Sequence, residues 1–86
     1  MAVRSEDCEI WANKGWHRLT IIQALGYPRD RLMRCPECFG SVRWHKAGAD
    51  NLPPAHFEHH QRHEGCSRSD AFNGVRSPHP QPARPR

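Results

Sequence analysis

Two stretches of the chain alternate between apolar and polar positions. From Ser41 to Lys46, Val42 and Trp44 point one way and Arg43 and His45 the other; from Ala55 to His59, the residues Ala55, Phe57 and His59 share a face. A period of two marks a half-buried strand. The loop between them, Ala47 to Pro54, is rich in Gly, Asp, Asn and Pro. The two strands are therefore expected to pair as a hairpin, with Val42, Trp44 and Phe57 packed together and His59 on the same inward side. Earlier in the chain, Glu9-Ile10-Trp11 and Gly15-Trp16-His17-Arg18-Leu19 flank Asn13-Lys14-Gly15, a turn signal that predicts a first short hairpin. Thr20 to Leu25 predicts a short helix with Thr20 as cap and Gly26 as stop, although Ile21-Ile22 is equally good strand material. His60 to Glu64 is expected to form one helical turn closed by Gly65.

The pattern fades at both ends. Residues 1 to 9 are polar and read as frayed. Beyond Phe72, the stretch Asn73 to Arg86 holds four of the eight prolines and almost nothing apolar. It reads as a disordered Pro/Arg-rich tail (73–86) with polyproline II character, leaving a single domain over 1–72. With 86 residues, 36% hydrophobic and a mean hydropathy of −0.91, such a domain buries too little apolar surface to be self-sufficient. A metal, disulfides or a partner is expected to help hold it together.

There are four cysteines, Cys8, Cys35, Cys38 and Cys66. The start of the chain is charged and lacks the apolar core of a signal peptide, and no run approaches a membrane span. A reducing, cytoplasmic location is therefore expected, where a CxxC with nearby His reads as a metal site rather than a disulfide framework. Cys35-Pro36-Glu37-Cys38 is a knuckle whose tight turn brings two thiolates to one point, with Pro36 stiffening it and Gly40 placed to let the chain leave. The second ligand pair comes from His56, His59, His60, His63 and Cys66. Cys66 is preferred as a soft thiolate. His59 is preferred for its place beside Phe57 on the inward face, with His56 as alternate and His63 next, on the ground that a helix over 59–66 would align His59, His63 and Cys66. Cys35, Cys38, His59 and Cys66 would hold one Zn2+ with no open position, a structural rather than catalytic arrangement. Glu58 is expected to orient the ligand imidazole. Cys8 reads as a free thiol, with a site made of all four cysteines as the alternative. A thioredoxin-like redox role would need a βαβ setting that is absent here.

Arg34-Cys35-Pro36-Glu37-Cys38, Val42-Arg43, Ala55-His56-Phe57-Glu58-His59 and Cys66 together resemble the zinc-binding segment of bacterial competence-type, CoiA-like proteins, in which a CxxC is followed by an HFxH. The resemblance covers roughly residues 34 to 70. It implies Cys35, Cys38, one of His56 or His59, and Cys66 as ligands. It carries no catalytic activity across, because the nuclease part of such proteins has no counterpart in this stretch.

The expected fold is a small zinc-stabilised α+β domain, zinc-ribbon-like or treble-clef-like, with its metal-binding core over 32–70. The formal charge is +4, with 11 Arg against 2 Lys. Arg29, Arg31, Arg34, Arg43, Arg62 and Arg68 could form a phosphate-binding face, or an ordinary solvated surface, since acidic residues are interleaved. Arg76, Arg84 and Arg86 could add non-specific affinity. Trp44 is expected in the core, while Trp11 and Trp16 could pack or stack on bases. Three functions follow. The first is a non-catalytic module in which zinc fixes the hairpin and lets it present Arg43 and His45 to nucleic acid or protein. The second is a small His-containing ββα-type nuclease, and the third a regulatory subunit of a partner protein.

Overall fold

The computed structural model describes residues 7–69 and 71–85. The first hairpin joins β1 (Asp7–Ala12) to β2 (Gly15–Thr20), antiparallel, with Cys8 opposite Leu19 and Trp11 opposite Trp16. Asn13 and Lys14 both take positive φ, 50° and 62°. That is the two-residue turn whose twist matches paired strands, and Asn is one of the few residues that tolerate it. Asp7 to Glu9, read as part of a frayed start, are strand because Cys8 and Ile10 bury their side chains (0% and 2% exposed).

Helix α1 (Ile21–Ala24) follows directly. The Thr20 hydroxyl accepts from the Gln23 amide at 3.2 Å, and the Gln23 side chain accepts from the Thr20 amide at 2.9 Å. This reciprocal cap satisfies two otherwise orphaned donors and settles Ile21-Ile22 as helix rather than strand. The alternation signal did not predict β3 (Met33–Arg34), which is only two residues long. It pairs with β1, matching Ile10 to Met33 and Glu9 to Arg34, so the three-stranded sheet runs β2-β1-β3.

The expected second hairpin is present as β4 (Val42–His45) and β5 (His56–His59). Trp44 lies opposite Phe57 and Val42 opposite His59. Val42, Trp44 and Phe57 are buried, with Cys8, Ile10, Met33 and the other three cysteines in the same core. The two sheets share no strand. They are joined through the knuckle, where Arg34 and Ser41 form a bridge.

Two expectations fail. Residues 60 to 64 do not make a helical turn. The His60 amide donates instead to Ser41 O at 2.9 Å, prolonging the hairpin ladder, and Glu64 O accepts from the Asn73 amide at 2.8 Å. Groups a helix would have paired locally are taken by distant chain.

The second failure is the disordered tail. The segment following Asn73 crosses the knuckle as a strap: Ser77 N donates to Gly65 O, His79 N to Cys38 O and Ala83 N to Phe39 O, at 2.8, 2.9 and 2.8 Å. His79 is 5% exposed and Ala83 9%. Composition misled here because the strap binds through main-chain groups and one histidine ring, which need no apolar run. Arg86 and residues 1–6 lie outside the described residues.

Candidate metal centre

The knuckle begins where β3 ends. Cys35 N donates to Gly40 O at 2.8 Å and Phe39 N to Cys35 O at 2.9 Å, closing a tight loop. Inside it, the Glu37 amide points at Cys35 Sγ and the Gly40 amide at Cys38 Sγ, each at 3.4 Å. Such N–H groups stabilise negative charge on the sulfurs. The left-handed residue at the exit is Phe39 (φ 67°), not Gly40. Gly40 is needed for another reason: a Cβ there would stand 2.5 Å from His79 Cδ2. Arg34 lies over the Phe39 and Trp16 rings, 4.5 and 4.1 Å from their centroids, and its Nε donates to Glu9 at 2.8 Å. That packing helps hold Phe39 in its strained conformation.

The other half arrives from the end of β5 and a turn. Cys66 N donates to His63 O and Ser69 N to Cys66 O. Among the described residues, no helix starts at Cys66. Glu37 ties the halves together, accepting from Ser67 N at 2.6 Å and Ser67 Oγ at 2.5 Å. Burial alone would raise the Glu37 pKa, but these bonds from Ser67 outweigh it and hold the carboxyl below its usual value.

Cys35, Cys38, His59 and Cys66 converge. One ligand atom from each lies within 4.8 Å of all the others. Cys35 Sγ is 3.6 Å from Cys66 Sγ, and Cys38 Sγ is 3.4 Å from His59 Nε2. A tetrahedral zinc ion with sulfur at ~2.3 Å and nitrogen at ~2.0–2.1 Å spans about 3.8 Å between two sulfurs and about 3.6 Å between sulfur and nitrogen. These two edges lie within about 0.2 Å of those spans, so the cluster is able to hold a metal ion. All three cysteines are buried, at 1% exposure or less.

Burial and mutual proximity set the thiols apart from one another. Cys35 is drawn down to about 3, first by its hydrogen bond with Cys38, against the cost of burial and with help from His59 and the knuckle amides. Cys38 is pushed up, first by that same bond and then by burial. Cys66 is pushed up to about 11, first by burial and further by the charge on Cys35. Three thiols this close ionise together only with positive charge among them.

The remaining candidates fall elsewhere. His56 Nε2 meets Glu58 at 2.8 Å, its Nδ1 meets Pro54 O at 2.7 Å, and its ring stacks on His45. Glu58 is therefore engaged by His56 and His45, not by the ligand imidazole. His63 donates from Nε2 to Ser77 O at 2.7 Å and packs on His79. The histidines on which a ββα-type nuclease reading depends do not converge. Cys8 sits in β1 as a fully buried free thiol, pushed up to about 12, chiefly by burial. Glu37, His79 and Gly65 were missed as parts of the site. Only Gly65, next to Cys66, carried a signal, and it serves close approach: a Cβ there would collide with Ser77 Oγ and come within 2.8 Å of His63 Nε2.

Four of the six arginines have partners within the fold. Arg34 and Arg68 pair with Glu9 and Asp7, whereas Arg29 and Arg31 donate to Trp44 O and Trp11 O. Trp44 is core, and Trp11 and Trp16 pack edge to face, centroids 5.4 Å apart. Among the described residues, no helix is long and apolar enough to cross a membrane.

No solved structure matches the chain. An uncharacterized protein of Azorhizobium caulinodans is 48% identical over 77 residues, covering 86% of this chain and 90% of that one. This match carries no link to competence-type proteins. A family model that carries no functional description matches residues 2–84, strap included. The chain, from its first hairpin to the strap over the knuckle, therefore belongs to that family.

Proposed function

We propose that Cys35, Cys38, His59 and Cys66 hold one structural Zn2+ and that the chain is a non-catalytic interaction module whose shape depends on it. The observation that carries this reading is the convergence of three buried thiols and one imidazole within 4.8 Å. Zinc favours such a donor set over hard cations, and four protein ligands leave no position for a substrate or water. The metal would link the β3–β4 knuckle, the end of β5 and the Cys66 turn. In small modules of this kind zinc contributes about 10 kcal/mol or more, at least as much as the net stability of a typical domain. Folding and metal binding are then one event. The fixed surface is what the module offers to a nucleic-acid or protein partner, and binding that falls steeply with salt would identify the former.

The test is elemental mass spectrometry on untagged protein, with two-dimensional NMR before and after a strong chelator. One zinc per chain and collapse of the dispersed spectrum on chelation is the expected result. A folded spectrum unchanged by chelation, with no metal found, would refute the reading.

A further inference from the structure

A cleft of about 700 Å3 opens between the two sheets and the strap. Its walls include Arg29, Arg31, Arg84, His60, Trp11 and Asp30. The cations come from three separate parts of the fold. Arg29 rests on the second hairpin, 4.9 Å from the Trp44 ring centroid, with NH2 donating to Trp44 O at 3.1 Å. Arg31 rests on the first sheet, over Tyr27, with NH2 donating to Trp11 O at 3.4 Å. Arg84 follows Ala83, whose amide is anchored on Phe39 O, and Pro82, which bridges to Gly40.

Arg29, Arg31 and Arg84 differ from the arginines that the first sheet pairs with carboxylates. Arg34 pairs with Glu9, and Arg18 and Arg68 share Asp7. Among the described residues, no carboxylate pairs with Arg29, Arg31 or Arg84. Each guanidinium has five N–H donors, and the carbonyl contacts of Arg29 and Arg31 occupy one nitrogen apiece, orienting the fork without consuming it. Asp30 offsets one of the three charges and leaves an excess of two. Three arginines lining one space suit a phosphate group, whose oxygens accept from several directions. The volume lies within the range of small-molecule sites and exceeds what a bare inorganic ion fills. Trp11 supplies apolar surface beside the cations.

We infer that this cleft binds an organic phosphate, gripped by Arg29, Arg31 and Arg84 with its apolar part against Trp11. A free nucleotide and a single nucleic-acid strand share this chemistry. The site gives the strap a purpose beyond covering the knuckle, since the strap sets the third cation. It does not depend on which metal occupies the cysteine cluster.

The experiment titrates the metal-loaded, 15N-labelled full chain with inorganic phosphate, adenosine monophosphate and a short single-stranded oligonucleotide. The expected result is saturable shifts at Trp11, Arg31, His60 and Arg84 with one of the two organic ligands. Tighter binding of the mononucleotide would assign a nucleotide site, and tighter binding of the oligonucleotide a strand site. Arg84→Gln should weaken binding about tenfold, the usual loss for one guanidinium contact. Lys46→Gln removes the same charge from a residue that does not line the cleft, and should change affinity less than about twofold. Arg84 is exposed, so its substitution leaves the fold intact; metal content and the unliganded spectrum of each variant verify this and separate loss of the site from loss of the metal-held fold. Equal weakening by Arg84→Gln and Lys46→Gln would reduce the effect to general electrostatics and overturn the assignment. So would the absence of shifts with both organic ligands, or inorganic phosphate binding as tightly as either.

Discussion

Replacing Gly40 by alanine would test how the strap is held. Gly40 has no positive φ, so alanine suits its backbone. The difficulty is space: the new Cβ would lie 2.5, 2.8 and 3.2 Å from Cδ2, Cγ and Nε2 of His79. Carbon atoms pack at ~3.5–4.0 Å, so the overlap is about 1 Å, and overpacking of this kind costs about 1–3 kcal/mol. The ring cannot turn aside freely. Its Nδ1 accepts from the Gln81 amide at 2.9 Å, and its Nε2 faces Gln61 O at 3.4 Å. Either the knuckle or the strap must yield. The strap contributes three backbone hydrogen bonds to Phe39, Cys38 and Gly65, each worth about 0.5–1.5 kcal/mol net. Its net hold is thus smaller than that of a metal-bound knuckle, and the strap should lift. Hydrogen exchange by NMR on metal-loaded protein would show this as a drop of about 10–100-fold in protection at the His79 and Ala83 amides, since 1.4 kcal/mol is a factor of ten. Gly15→Ala, where the nearest atom is 3.9 Å away, is the control. Gly65→Ala should repeat the effect from the Ser77 side. Unchanged protection at His79 and Ala83 together with a loss of metal affinity would refute the reasoning, because the knuckle would then be the part that gives.

Three further outcomes are expected. His59→Ala should abolish stoichiometric metal binding while His56→Ala keeps one metal per chain, as read by elemental analysis; the reverse pattern would reassign the imidazole. Cys8→Ala should retain the metal and cost about 1 kcal/mol or slightly more of stability, and in metal-loaded protein Cys8 should resist alkylation near neutral pH because its thiol is buried and pushed up to about 12. Burial works to raise the Asp7 pKa, but Arg68 and then Arg18 outweigh it and lower it. Its contribution is therefore fully present above the ordinary carboxylate value of about 4 and is lost as pH falls through the lowered folded value. The gap in urea midpoint between the natural chain and Asp7→Asn should close across that window, and a gap independent of pH would show that the ion pairs are not responsible.

What could be read from the sequence follows local chemistry. Alternation at Val42, Trp44 and Phe57 predicted the second hairpin, Asn13-Lys14 the first turn, and Thr20 with Gly26 the helix. The knuckle spacing and the inward side of His59 pointed to the four residues that converge in the structure. The misses all involve contacts between distant segments. Two-residue β3 is too short to show a period and exists because Ile10 offers a partner to Met33. Glu37 reaches Ser67 across 30 positions. Gly40 was read as a chain exit when its role is to admit a ring from residue 79, and a Pro-rich composition hid a segment that docks through carbonyls.

The strap also orders events during synthesis. The four converging side chains are all made before the segment that covers them, and at ordinary rates of translation about 1–3 s separate Cys66 from Ala83. An ion can enter while the cup is still open on one side. Once Ser77 to Ala83 has lain down along Gly65, Cys38 and Phe39, the knuckle and the Cys66 turn are tied together by a third segment and are slower to part. Uptake should accordingly be fast on the nascent chain, and exchange with free metal slow in the finished one.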